Sequence, residues 1–149
     1  MQHSLTFETK VAATPAQAWT WITSFDGISK EMSPLLHMSA PKGIKDLASI
    51  AFEPGVPMFR SWITLFGVLP IDYSNLTLLT LNPGVGFVEQ SPMGSMKLWR
   101  HERQIQPLDV GCKIIDQLTF EPRFAGWLVS GIVQWFFAHR HKMLAKYLG

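Results

Sequence analysis

Glu89, His101, Arg103 and Asp116 are four ionisable side chains on three stretches that alternate like β-strands. In 85–91, Phe87 and Glu89 share a face with Ser91, while Val88 and Gln90 oppose them. In 112–121, Ile114, Asp116, Leu118 and Phe120 form the apolar side, against Lys113, Gln117, Thr119 and Glu121. In 96–106 both faces carry polar groups, and "WRHER" at 99–103 is the sharpest case. The set opposite Leu98, namely Trp99, His101, Arg103 and Ile105, is the better inner one. One concave surface would then hold two carboxyls, an imidazole and a guanidinium. Arg140 lies about 80° around a helical wheel from Ile132 and is placed to join them.

Charges in such a place must pair, because an unpaired buried charge costs several kcal/mol or changes protonation. Three arrangements meet that demand. One is a closed network, with Asp116 and Glu89 neutralised by Arg103 and Arg140, which fixes strand register. The second is a polar anchor at the bottom of an apolar pocket, orienting a carboxylate, hydroxyl or carbonyl of a ligand. The third is acid–base catalysis by His101 with Glu89 or Asp116; the residue types suit it but no spacing specifies it. No catalytic residue is assigned.

Other chemistry-bearing residues point elsewhere. His139 and His141 are two apart on a helix, project about 160° apart and cannot chelate one metal; with Arg140 they are expected to cap and solvate the helix end. The single Cys112 makes no intrachain disulfide and has no companion ligands at metal spacing. No metal and no cofactor are expected. Met32, Met38, Met58, Met93 and Met96 fall largely in loops and a short helix, suited either to filling gaps or to lining an adaptable mouth. "LFGVLPIDY", 65–73, carries apolar residues through a turn and is expected to be buried rather than a membrane-touching lip or a dimer contact.

The chain of 149 residues fits one domain, 1–149, large enough for a real core. Hydrophobic residues at 47% against charged residues at 16% exclude a disordered chain. Six Trp, ten Phe and seven Met supply more apolar bulk than a compact core needs, which leaves a rich core and an apolar ligand pocket as the two readings. A net charge of +2 without a long basic run argues against nucleic acid as a partner. "MQHSLTFETK" has no apolar signal region, so a cytoplasmic location is expected. The apolar run 124–138 is shorter than the roughly 20 residues a spanning helix needs. Its wheel groups Val129, Ile132, Val133, Phe136, Met143 and Tyr147 on a core-facing side, with Ser130, Gln134, His141 and Lys142 opposite. No integral membrane segment is expected, and the protein is expected to be a monomer or homodimer.

The elements that must position these residues follow from the punctuation. "HSLTFETKVAA" reads as a first strand. "TPAQ" then offers Thr14 as N-cap, Pro15 at the first helical position and Gln17 as the return arm of a capping box, opening a helix over about 15–24. A short second helix ends before Pro34. Strands are predicted at 45–53, 60–67, 73–81, 85–91, 96–106 and 112–121, separated by Gly- and Pro-rich turns. A long helix over about 124–147 closes the chain.

This order, together with "GFVEQSPMG", "KLWRHERQI", "IIDQLTFEPR" and "FFAHRHKML", resembles a bacterial branch of the START-like or SRPBCC superfamily over the whole chain. The resemblance implies an α+β helix-grip fold: a curved antiparallel sheet of about seven strands around a long C-terminal helix, with two short helices after the first strand. It also implies a cavity between sheet and helix for a small hydrophobic molecule such as a lipid, polyketide or aromatic. The expected ligand-facing set is Phe87, Glu89, Trp99, His101, Arg103, Asp116, Leu118, Phe120, Ile132, Phe136 and Arg140. Polyketide cyclase/dehydratase-type catalysis and a partner-binding adaptor with a vestigial cavity are the alternatives.

Overall fold

The structure is a computed structural model and describes residues 1–149. Its elements run β1 (His3–Val11), α1 (Pro15–Thr23), α2 (Phe25–Met32), β2 (Leu36–Met38), a 3-10 turn at Leu47–Ser49, β3 (Pro57–Leu65), β4 (Leu69–Asn82), β5 (Gly86–Gln90), β6 (Met96–Pro107), β7 (Cys112–Pro122) and α3 (Gly126–Leu148). The strands form one antiparallel sheet in the order β1-β7-β6-β5-β4-β3-β2, so only β1 is out of sequence. The 23-residue α3 lies across its inner face, which is the helix-grip arrangement.

Local chemistry accounts for each piece. Thr14 and Gln17 form a reciprocal capping box at 3.2 and 2.9 Å, and Pro15 starts α1 where its missing N–H costs nothing. Ser24 ends α1 and caps α2 through its hydroxyl to the Gly27 N–H. Along β7 burial alternates without a break, from Cys112 to Phe120 on the inner side. At Gly86 a Cβ would sit 2.2 Å from the Arg103 carbonyl oxygen, so only glycine lets β5 approach β6 there.

The predicted strand at 45–53 does not form. That segment holds the 3-10 turn, and the short β2 at Leu36–Met38 takes the place beside β3. The 65–73 turn is not buried either: Phe66, Val68, Leu69 and Ile71 are all at least half exposed at the tip of the β3–β4 hairpin. Phe66 and Gly67 both adopt positive φ, the tight-hairpin geometry that turns these side chains outward.

The interior is divided. One apolar cluster gathers Ile22, Leu78, Phe87, Ile105, Ile114 and Leu144; another gathers Met96, Leu118, Phe120, Val133 and Phe137. The residues between these clusters on each element are ionisable: Arg103 on β6, Asp116 on β7, and Arg140 and His141 on α3. An ionic layer therefore separates the two cores.

Candidate functional site

Asp116 is the centre of that layer. It is fully buried and receives four hydrogen bonds: Oδ1 from His101 Nε2 at 2.6 Å and Arg103 Nε at 2.7 Å, Oδ2 from Arg103 Nη2 at 2.7 Å and His141 Nε2 at 2.7 Å. The other edge of the Arg103 guanidinium donates to Glu31 on α2, Nη1 to Oε2 at 3.0 Å and Nη2 to Oε1 at 2.5 Å. Arg140 Nε donates to the same Glu31 Oε1 at 3.0 Å. His141 Nδ1 lies 2.7 Å from the Thr9 hydroxyl on β1. Two bidentate fork contacts on one guanidinium make this the strongest kind of ion-pair geometry.

The electrostatics follow from this geometry. Burial alone would push Asp116 toward its neutral form, but Arg103 and His101 hold it well below the usual carboxylate range. Glu31 is lowered in the same way, burial being overcome by Arg103 and Arg140. His101 would lose its proton on burial, but the Asp116 carboxylate beside it and its contacts with Asp116 and Glu89 raise its pKa above the ordinary value. The ring is packed edge-on by Phe137 at 5.2 Å and Phe87 at 5.8 Å, which leaves it one orientation.

His101 also reaches forward. Its Nδ1 is 3.7 Å from Glu89 Oε1, and Glu89 Oε2 accepts from the Ser91 hydroxyl at 2.7 Å. Both residues line a cavity of about 240 Å3 enclosed by α2, α3 and strands β2 to β6. Of its 30 lining residues 21 are hydrophobic, so what it offers is an apolar chamber with a few polar atoms. Arg140 lines it too. Only its Nε is tied, to Glu31, and its guanidinium carbon stands 4.9 Å from the Phe137 ring centre. Ile71 and Ile132, each about half exposed, are the most open of the lining residues and mark the mouth.

Of the ligand-facing set read from the sequence, the structure puts Phe87, Glu89, Trp99, His101, Ile132, Phe136 and Arg140 on the cavity. Arg103, Asp116, Leu118 and Phe120 point inward but stay in the wall, at most 1% exposed, and do not reach it. Of the closed network read from the sequence, the Asp116–Arg103 pair forms, but Glu89 has no arginine partner; Glu31 takes Arg140 and the other edge of Arg103 instead.

Two residues of the site escape the sequence pattern. Glu31 is completely buried, although only its place three residues after Ile28, on the face that ends in Met32, signals it. The hydrophobic wheel puts His141 on the solvent side of α3, but it is buried against Asp116, Thr9 and the Phe7 ring. The buried stripe of α3 is Val133, Phe137, Arg140, His141 and Leu144. It is turned by about 80° from the hydrophobic wheel, which leaves Ile132 and Tyr147 partly exposed. His139 contacts the Ser33 carbonyl oxygen at 2.8 Å, away from both. Met32, Met38, Met93 and Met96 line the cavity, and Met58 packs on the apolar cluster behind.

A family model with the description "Domain of unknown function (DUF8410)" matches residues 9–148. No curated protein matches the chain. Similar solved structures include the Zhui aromatase/cyclase from Streptomyces sp. R1128, 10% identical over 98% of this chain and 93% of that one, with a TM-score of 0.69. The AHSA1 protein from Silicibacter pomeroyi is 15% identical over 98% and 97%, TM-score 0.68. Ara h 8.0201 is 13% identical over 99% and 98%, TM-score 0.67. At these identities the likeness establishes the fold alone, a helix-grip. No helix is long and apolar enough to cross a membrane.

Proposed function

We propose that this chain, which belongs to the family described as Domain of unknown function (DUF8410), acts over 1–149 as one ligand-binding domain that holds a small hydrophobic molecule between sheet and long helix. The observation that carries this reading is the partly enclosed, predominantly apolar cavity with Arg140, His101 and Glu89 together on its wall. A guanidinium tied only through Nε has its outer N–H groups free for a carboxylate or carbonyl. The Glu31 and Phe137 contacts fix where that edge points. A volume of about 240 Å3 lies just below the roughly 300–1,000 Å3 of drug-sized pockets, which favours a single alkyl chain or one or two rings. Sequestration or transport needs no more than this.

The test is displacement of a naphthalene-type fluorescent probe by decanoic acid. Both are expected to bind near micromolar, worth about 8 kcal/mol. A probe whose fluorescence never changes at saturating protein overturns the reading.

One observation favours a second reading, acid–base chemistry of the cyclase/dehydratase type: His101 holds its proton more firmly than a free imidazole, and it faces the cavity. Turnover of a polyketone substrate that disappears in His101→Gln would establish it; binding without turnover keeps the first reading.

A further inference from the structure

Ser74 is the one cavity-lining side chain with a buried polar atom left without a partner. It is 1% exposed, lines the cavity, and its hydroxyl makes no hydrogen bond within the protein. Its neighbours bond elsewhere and not to it. Ser61, opposite it in the β3–β4 register, donates its hydroxyl to the Ser39 carbonyl oxygen at 2.7 Å. Asp72, one step nearer the mouth on the same face, is taken up by the Ser95 hydroxyl, the Ser95 N–H and the Tyr73 N–H. A buried hydroxyl left this way costs stability that an alanine would not, so its presence points to a partner that enters from the cavity.

The place of Ser74 says what that partner looks like. Ser74, Leu76 and Leu78 follow one another on the inner face of β4, all lining the cavity. Leu78 pairs with Glu89, and Glu89 with His101. Four residues of strand separate Ser74 from that deep polar group, about 13 Å, with Leu76 between. We infer that the cavity has a second polar station at Ser74, and that its ligand is a two-ended amphiphile: an acceptor head at Arg140 and His101, an apolar body along Leu76, and a hydroxyl or carbonyl at the far end. This inference rests on the ligand-binding reading above and names its ligand class.

The experiment measures displacement of the naphthalene probe by decanoic acid and by ω-hydroxydecanoic acid, in the wild type and in Ser74→Ala. The ratio of the two affinities cancels the head-group and chain terms, leaving the distal hydroxyl. That ratio is expected to shift about tenfold toward decanoic acid in Ser74→Ala, the worth of one buried hydrogen bond. Ser74→Thr, which keeps a hydroxyl, is expected to retain the wild-type ratio. The ligand-free melting temperature of Ser74→Ala should not fall, since no bond is lost; a fall of several degrees shows that the hydroxyl already has a partner and overturns the inference. An unchanged ratio, as when Ser74 holds only water, overturns it too and leaves the binding reading standing. If neither acid displaces a bound probe, the far station and the fatty-acid form of the ligand fall together; if the probe itself does not bind, the binding reading falls first.

Discussion

The two sides of the His101 ring face different environments. Behind it, Asp116, Arg103, Glu31 and His141 use up one another's hydrogen-bonding capacity, and none reaches the cavity. In front, Glu89, Arg140 and Ser74 keep unused valence and border an apolar space. The rear is built as a joint. It ties β1, β6, β7, α2 and α3 through one carboxylate and one guanidinium, and it sits between two apolar clusters that share no residue. The front is built as a receptor. The same residue types serve both, so satisfaction rather than chemistry separates structure from binding. Each variant below should move stability on one side and ligand affinity on the other.

The largest effect is expected from Asp116→Ala. Removing this carboxylate strands Arg103 and two imidazoles in the interior, and breaking a buried pair costs roughly 3–5 kcal/mol. Urea unfolding followed by circular dichroism should show this as a lower midpoint. A loss under about 0.5 kcal/mol would mean that water or Glu31 can replace Asp116, and the rear would no longer be a joint.

Acidity acts on the same layer with two opposite signs. Glu31 and Asp116 have folded-state pKa values below those of the unfolded chain, so their contribution is complete above about pH 4 and drains as the pH falls through the folded values. His101 is raised in the fold, so its contribution is complete below about pH 6.5 and is lost as the pH rises through the folded value. Urea midpoints should therefore be highest at mildly acidic pH and lower on both sides. In His101→Gln the alkaline decline attributable to this residue should vanish while the acid decline remains. An alkaline decline of the same size in that variant assigns it to another group.

What the sequence makes legible depends on whether the signal is local. Alternation on 112–121 and the Thr14–Gln17 box involve neighbours in the chain, and the structure shows both. At 45–53 the alternation is equally inviting, yet a strand needs a partner edge, and β3 is already paired with β4 and β2. The ionic layer is the hardest case. Its bonds join residues 13 to 132 apart, and a hydrophobic wheel admits only a charge beside the apolar face, as Arg140 is, while sending the rest to the surface. Thus Arg103 and Asp116, carried by strong period-2 strands, could be placed inside. Glu31 and His141, on helices whose face is chosen by apolarity alone, could not. The half-exposed Ile132 and Tyr147 on α3 are the other half of that error, since the buried stripe turns toward Arg140 and His141 and away from them.

The smallest effect on stability is expected where the two regions touch through adjacent residues. Phe136 and Phe137 are consecutive on α3, and both border the cavity, but Phe137 is 1% exposed and wedged against Phe7, Trp99 and His101, whereas Phe136 is only half-buried. Phe137→Trp must find room in a packed cluster, and overpacking costs about 1–3 kcal/mol. Phe136→Trp can extend into the cavity instead, so its unfolding free energy should change by less than about 1 kcal/mol. The affinities should run the other way. The Phe136→Trp indole occupies ligand space beside Arg140, whose guanidinium carbon is 5.9 Å from the native ring, and should weaken the naphthalene probe several-fold. If Phe136→Trp instead destabilises as much as Phe137→Trp and leaves the probe unaffected, the space in front of His101 is packed core, and the division between joint and receptor does not exist.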